Sequence, residues 1–160
     1  MSTLDEVFLL AHVLGAFWYV AGLVAVQISL IRAGQQVDDL EARRDSFEEA
    51  SHYQGMLMVP GAIAASATGL FFWEQVDYNL FSTGWLILLE VVYIITLLVC
   101  LPFVGMGLRR ARIAALQAVR AGRTNADLDA AMGDNVPLFF AGIALLLVPV
   151  AAAISVFRPF

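Results

Sequence analysis

The sequence predicts an all-α protein, a four-helix transmembrane bundle that forms one integral membrane domain over residues 1–160. Its composition is 61% hydrophobic and only 14% charged, whereas soluble domains are roughly 45–50% apolar. Four apolar stretches occur, and each is long enough for the ~20 residues that cross a bilayer as a helix. We therefore predict spans at about 7–31, 56–73, 85–108 and 136–157.

The first span is followed by a polar segment that has its own helical pattern. Asp38 and Asp39 are suitable N-cap residues, and apolar residues recur at helical spacing behind them. This pattern predicts a cytoplasmic helix that continues into the second span. Pro60 lies one turn inside that span, where neighbouring helices can satisfy the backbone group that a proline leaves free.

The third span is predicted to continue well beyond its apolar stretch. Ser82 or Thr83 can cap its start, and residues 109–121 remain compatible with a helix until Gly122, which favours a stop. Helices two and three are therefore both expected to extend into the cytoplasm.

A short helix and the fourth span complete the chain. The segment Thr124 to Asp127 resembles a capping box in which Asp replaces Glu, so it predicts a short helix. The fourth span starts with Pro137 in its first turn, and Pro149 is expected to kink it.

The distribution of arginine predicts the orientation. The loops after spans one and three hold eight of the nine arginines, and the loop after span two holds none. Positive charge favours the cytoplasmic side, so both termini are predicted to be extracytoplasmic. Trp73 and Trp85 would then lie at the outer interface as aromatic anchors.

His12 is the only histidine inside a predicted span, and its helical face is mostly small or polar. That face carries Gly15, Ala16, Tyr19, Gly22, Leu23 and Gln27. Such a stripe is typical of a helix that faces protein rather than lipid. Two roles for His12 remain open on this basis, a hydrogen bond to a neighbouring helix and ligation of a cofactor.

Glu90 lies inside the third span at a depth similar to that of His12. A carboxyl group in an apolar run is costly and is usually functional or paired, so we expect the two side chains to meet in the outer half of the bundle. The carboxylate would then orient the imidazole. Alternatively, Glu90 is protonated or bonded to Tyr93 or Tyr19.

The remaining polar residues indicate structure and surroundings more than chemistry. His52 falls at the opposite side of the membrane and is interpreted as an interfacial histidine. Gly61, Ala65 and Gly69 form a ridge of small residues on the second span, which predicts close helix packing.

The expected partners are the lipid bilayer and a homo-oligomer or larger membrane complex. No nucleic acid is expected, since the arginine clusters adjoin the spans.

Short motifs distributed over all four spans carry a resemblance. They are His12 with Trp18 and Gly22-Leu23, Pro60 with Gly69-Leu70, Gly84-Trp85-Leu86, Asn135-Val136-Pro137 and Arg158-Pro159-Phe160. This outline resembles the HemJ-type protoporphyrinogen oxidases and the CopD copper-resistance membrane domains. The chain is most similar to an uncharacterised family of predicted bacterial integral membrane proteins that is grouped with them.

The resemblance implies a multi-pass protein of the bacterial cytoplasmic (inner) membrane that binds haem b. The HemJ-type histidine of the first span corresponds to His12, which is thereby implied as a metal ligand. HemJ-type proteins also carry a lysine early in the third span, where this chain has Leu89-Glu90 and no lysine.

Three functional hypotheses follow, and whether the protein is an enzyme stays open. In the first, it binds haem for electron transfer or porphyrin oxidation, with His12 as ligand and Glu90 as the catalytic, proton-handling group. Tyr19, Gln27 and Tyr93 would line the cofactor pocket. In the second, it is a non-catalytic scaffold or accessory subunit of a membrane complex. In the third, it is a small proton-coupled transporter with Glu90 as the titrating site.

Overall fold

The computed structural model describes residues 3–75 and 83–158, and for residues 72–75 it describes the backbone alone. The predicted anchor side chain of Trp73, the Ser82 cap and the closing Pro159-Phe160 lie outside the described parts. Within them are seven α-helices. These are α1 (Thr3–Gln35), α2 (Leu40–Tyr53), α3 (Val59–Gln75), α4 (Gly84–Ile94), α5 (Leu101–Ala121), α6 (Ala126–Gly133) and α7 (Val136–Phe157).

The predicted all-α bundle is confirmed, because four helical stretches are long and apolar enough to cross a membrane. A π-helical segment, Gln54–Met58, joins α2 to α3, and a second, Ile95–Cys100, joins α4 to α5. The second and third membrane-crossing helices, which start at Leu40 and Gly84, therefore extend far beyond their apolar spans, as predicted. Gly122 ends α5 in the left-handed conformation, with φ of 64°, which glycine adopts without a steric penalty.

Each π-helical segment ends two residues before a proline. The backbone N–H groups of Val59 and Leu101 bond back five residues, to Gln54 and Thr96, and Pro60 and Pro102 follow. A proline ring crowds the carbonyl group four residues earlier and removes a donor, and a widened turn relieves this crowding. The carbonyl oxygen of Met56, which Pro60 leaves free, accepts a hydrogen bond of 3.1 Å from Trp18 Nε1.

Glycines bring α1 and α3 into backbone contact. A Cβ atom at Gly22 would overlap the backbone of Met58, and one at Gly61 would overlap the backbone of Tyr19. At Gly15 it would lie 2.8 Å from the backbone nitrogen of Ala65. The ridge predicted on the second span therefore does pack against the first span.

The helices form two buried clusters. The first lies within the spans and joins α1 and α3 to α5 and α7 through Leu23, Met58, Val104 and Ala141. The second packs α2, α5 and α6 together around Phe47, Leu108 and Leu128. We call this second region, formed by residues 32–53 and 109–135, the basic end, because eight of the nine arginines lie in it, together with nine acidic residues. Towards the opposite end, α3 packs chiefly on α1, and α4 packs on α7.

Side-chain caps differ in one detail from the prediction. Asp39 caps α2 and accepts from the backbone nitrogen of Ala42 at 2.9 Å, as predicted. The predicted capping box at Thr124 is wrong, because Asn125 is the N-cap of α6 and accepts from the backbone nitrogen of Leu128 at 2.7 Å. An asparagine caps at least as well as a threonine, so the helix starts one residue later.

Much of the bundle's outer surface is apolar. Only 17–22% of the most apolar window of each candidate span is buried, and large side chains such as Phe17, Leu98 and Leu146 are exposed. Such a surface is stable in the hydrocarbon of a membrane.

Candidate functional site

His12 of α1 is held against α3 by a hydrogen bond. Its Nδ1 atom lies 2.8 Å from the carbonyl oxygen of Ala65, and since a carbonyl oxygen only accepts, Nδ1 carries the proton and donates it. Thr68 Oγ1 lies 3.4 Å from the same nitrogen and 2.6 Å from the carbonyl oxygen of Ala64. His12 therefore makes the interhelical hydrogen bond that was one of its two predicted roles.

This hydrogen bond leaves the other ring nitrogen available. Across residues 3–75 and 83–158 no hydrogen bond reaches His12 Nε2. With the proton on Nδ1, Nε2 of the neutral ring holds a lone pair. Metal-bound histidines commonly donate their other N–H to a backbone carbonyl, which fixes the tautomer and the orientation of the ring. His12 therefore has the hydrogen bonding of a histidine that could ligate through Nε2.

Gly69 provides the space in which the imidazole lies. A Cβ atom at this position would be 3.2 Å from Cε1 and 3.4 Å from Nδ1 of His12. Both distances are tight for carbon, so a side chain at position 69 would displace the ring.

Glu90 of α4 is partly buried but does not contact His12 directly. No hydrogen bond or ion pair joins the two side chains in the described parts of the chain. The physical reason is the packing, since α1 presents its histidine to α3 whereas α4 packs on α7. The direct contact that was expected between these two side chains is therefore not formed.

A different group of predicted site residues does come together. Tyr19 is only 7% exposed, and it lies near Tyr93 and Cys100. Tyr93 in turn lies near Glu90. The structure therefore brings Tyr19, Tyr93 and Glu90 into one neighbourhood between α1 and the third span.

Two buried hydroxyl groups in this part of the bundle have no partner among the described residues. They are Tyr19 Oη and Ser66 Oγ of α3. An unsatisfied buried hydroxyl costs roughly 1–3 kcal/mol, and such groups usually bond to an internal water or a ligand. Each is therefore a free donor to whatever polar group enters the bundle.

Gln27 belongs to another level of the bundle. It lies about 22 Å further along the α1 axis than His12, at ~1.5 Å per residue. Its Nε2 atom lies 3.5 Å from the point where a Cβ at Gly142 would be, so the amide faces α7. The structure does not bring Gln27 to the histidine.

The three residues that position His12 differ in how clearly the sequence points to them. The ring packs on Gly69, a member of the small-residue ridge that predicted close helix packing, and Thr68 lies on the same face of α3. The main partner, the carbonyl oxygen of Ala65, has no signature in sequence because every residue carries one.

The described residues contain no group of three or more His, Cys, Asp or Glu side chains that could hold a metal ion. Two surface hollows lie at the basic end. One, of about 630 Å³, is lined by Glu48, Glu49, His52 and Arg112. The other, of about 420 Å³, is lined by Arg109 and Arg110. His52 is exposed there, far along the bundle from His12.

Comparisons with known proteins agree with this architecture. Residues 6–159 match the model of a family described as predicted integral membrane protein (DUF2269). No match was found among curated proteins, and none among solved structures. Since the match covers nearly the whole chain, the protein belongs to this family of predicted integral membrane proteins.

Proposed function

We propose that this membrane protein binds a haem group through His12 Nε2 and takes part in electron transfer. The observation that carries the proposal is the hydrogen bond of 2.8 Å between His12 Nδ1 and the carbonyl oxygen of Ala65. It orients the ring and leaves the Nε2 lone pair free, as in metal-bound histidines.

Two features that a ligand could use lie at different levels of α1. Gly69 leaves the space that the imidazole of His12 occupies. Tyr19 Oη, a buried donor without a partner among the described residues, belongs to a residue about 10 Å further along the helix axis, at ~1.5 Å per residue. Bound haem supplies a one-electron couple, whose potential the ligand and the apolar surroundings set. The chain has two histidines, and His52 lies at the basic end, so one protomer offers a single imidazole.

Within this proposal Tyr93 and Glu90 have a separate role. Glu90 is the only acidic residue of the third span and lies near Tyr93, which lies near Tyr19. A carboxyl group and two phenols in an apolar bundle can accept and release a proton as the charge of the cofactor changes. Glu90 would hold that proton.

An absorption spectrum tests the proposal. We expect protein purified from haem-replete cells, or mixed with hemin, to show a Soret band that His12→Ala removes or shifts. His52→Ala is the matched control and should keep the wild-type spectrum. A colourless protein that hemin does not change, or a His12→Ala variant with the wild-type band, would contradict the proposal.

A second candidate is a non-catalytic scaffold or accessory subunit. It is favoured by the same interface, because Trp18 and His12 both donate to carbonyl groups of the second span and glycines close the gap between the helices. This role predicts that His12→Ala lowers the stability in detergent without changing any spectrum. Measuring both properties on the same preparations separates the two candidates.

A further inference from the structure

The smaller hollow at the basic end has a composition that the electron-transfer proposal does not explain. It has a volume of about 420 Å³ and lies on α5 beside the start of α6. Its lining combines two guanidinium groups with apolar and polar side chains and one carboxylate. The residues are Met106, Arg109, Arg110, Ile113, Gln117 and Asp127. We call it the arginine hollow.

Arg109 and Arg110 are available to bind an anion. Both are exposed, and neither makes a hydrogen bond or an ion pair with any described residue. Asp127 is the one acidic side chain that lines the hollow, so the guanidinium groups outnumber the carboxylate by two to one. The arginine hollow therefore carries a net positive charge.

Three other arginines of the basic end make ion pairs or hydrogen bonds with residues of the same chain. Arg32 pairs with Glu49 at 3.4 Å, and Arg44 pairs with Asp45. Arg43 is buried and donates from Nε to the carbonyl oxygen of Gln36 at 3.1 Å. Arg109 and Arg110 make no such contact with a described residue, and neither do Arg112, Arg120 and Arg123, so all five guanidinium groups are available to a partner outside the chain.

The position of the hollow indicates what that partner is. Arg109 directly follows the apolar stretch that ends at Leu108, so the hollow lies at the level where a bilayer changes from hydrocarbon to headgroups. On the membrane side, Phe103 is 41% exposed and Met106 is 59% exposed. Phe103, Met106 and Arg110 are spaced to lie along one face of α5. An apolar strip therefore leads straight to the cationic hollow.

We propose that the arginine hollow binds the phosphate headgroup of an anionic phospholipid, whose acyl chains lie along Phe103 and Met106. Guanidinium groups form short, charge-assisted hydrogen bonds to phosphate oxygens. Basic pockets at the cytoplasmic level of membrane helices suit such headgroups. The volume of about 420 Å³ is ample for one phosphate with its glycerol. The proposal is independent of the haem site, which lies in the other half of the bundle.

Lipid retention measured by native mass spectrometry tests this inference. The detergent-purified protein is exchanged into equal amounts of phosphatidylglycerol and phosphatidylcholine. We expect the wild type to retain phosphatidylglycerol preferentially, and Arg109→Gln/Arg110→Gln to lose that preference by roughly 25-fold, since each of the two surface arginines contributes about fivefold. Arg120→Gln/Arg123→Gln removes the same charge outside the hollow and should stay within about twofold of the wild type.

Two further variants keep the test decisive. Asp127→Asn removes the opposing carboxylate and should increase retention of phosphatidylglycerol. Arg109→Lys/Arg110→Lys keeps the charge and should retain part of the preference even if the glutamine variant does not fold. Equal retention of both lipids by the wild type would overturn the proposal, as would an equal loss in the Arg120/Arg123 control. So would displacement of the lipid by millimolar inorganic phosphate, which would make the hollow a general phosphate site.

Discussion

At the level of single residues, Trp18 compensates for a proline in the neighbouring span. Its indole N–H bonds to the Met56 carbonyl oxygen at 3.1 Å, and Pro60 is the residue whose missing N–H would otherwise bond there. We predict that Trp18→Phe destabilises the protein by about 1–2 kcal/mol, because the carbonyl group loses its partner in a medium without water. Unfolding by denaturing detergent would measure the change.

The same hydrogen bond allows an internal control. In a Pro60→Ala background residue 60 regains its N–H, which can bond to Met56 within the helix. The cost of Trp18→Phe should then fall to less than half its value in the wild type. An equal cost in both backgrounds would show that Trp18 acts through its ring packing and not through its hydrogen bond.

The cap of α6 is a second prediction at this scale. Asn125→Ala should lower the stability by ~1 kcal/mol, because the backbone nitrogen of Leu128 loses its acceptor. Thr124→Ala should have little effect, since Thr124 is exposed and caps no helix. Thermal unfolding of the two variants in detergent would distinguish Asn125 from Thr124 as the cap. A larger loss in Thr124→Ala would reverse the assignment.

The sequence predicted correctly which face of a helix is turned towards protein. It did not predict which residue of a neighbouring helix that face contacts. The face of His12 contains Gly15, Tyr19 and Gly22, and all of these contact the second span, so the stripe correctly indicated a protein-facing surface. The expected contact with Glu90 rested on equal depth. Depth leaves open which neighbour a helix face turns towards, and here α3 lies where α4 was expected.

Among the elements, the contact between α1 and α3 depends most on the absence of side chains. We predict that Gly22→Ala lowers the stability by ~1–3 kcal/mol, the usual range for overpacking. Its Cβ would overlap the backbone of Met58, which cannot move without parting the helices. Gly34→Ala is the matched control in α1, because nothing lies within 4 Å of its Cβ. The control should be neutral or slightly stabilising, since alanine favours the helix. Equal losses in both variants would contradict this account of the interface.

The π-helical segments show a limit of sequence reasoning about elements. Pro60 and Pro102 are visible in the sequence, and a perturbed helix at each was foreseeable. Whether the chain kinks, breaks or widens by one residue depends on the partners that surround the proline. Trp18 supplies such a partner at Pro60, and it lies on another helix. Helix boundaries, in contrast, followed from local signals such as Asp39 and Gly122.

For the whole molecule, the orientation predicted from the arginines can be tested directly. In a Cys100→Ala background, Thr3→Cys should react with a membrane-impermeant maleimide on intact cells. Thr124→Cys should react only after the membrane is opened. Cys100 is the one cysteine of the sequence, so in this background the introduced cysteine is the only thiol of the protein that can be labelled. The reverse pattern would show that the basic end faces outwards and would invalidate the charge rule for this chain.

The overall architecture was the most predictable property, because the bilayer imposes it. The length of an apolar stretch determines whether a helix crosses, and four such stretches left little choice beyond a bundle. Which helices pack on one another was harder to predict from the sequence. Spans two and three are consecutive in sequence, yet towards the end opposite the basic end each packs on a different partner, α1 or α7. That choice depends on glycine surfaces whose partners a single sequence does not specify.

The pairing of α1 with α3 also has a consequence for biosynthesis. The two helices that interlock most closely are consecutive spans, so they leave the ribosome one after the other, and their glycine contacts lie within residues 12–69. A nascent chain that stops after the second span already contains both surfaces. The helical hairpin can therefore associate within the bilayer during translation, and the later spans can assemble on this existing template.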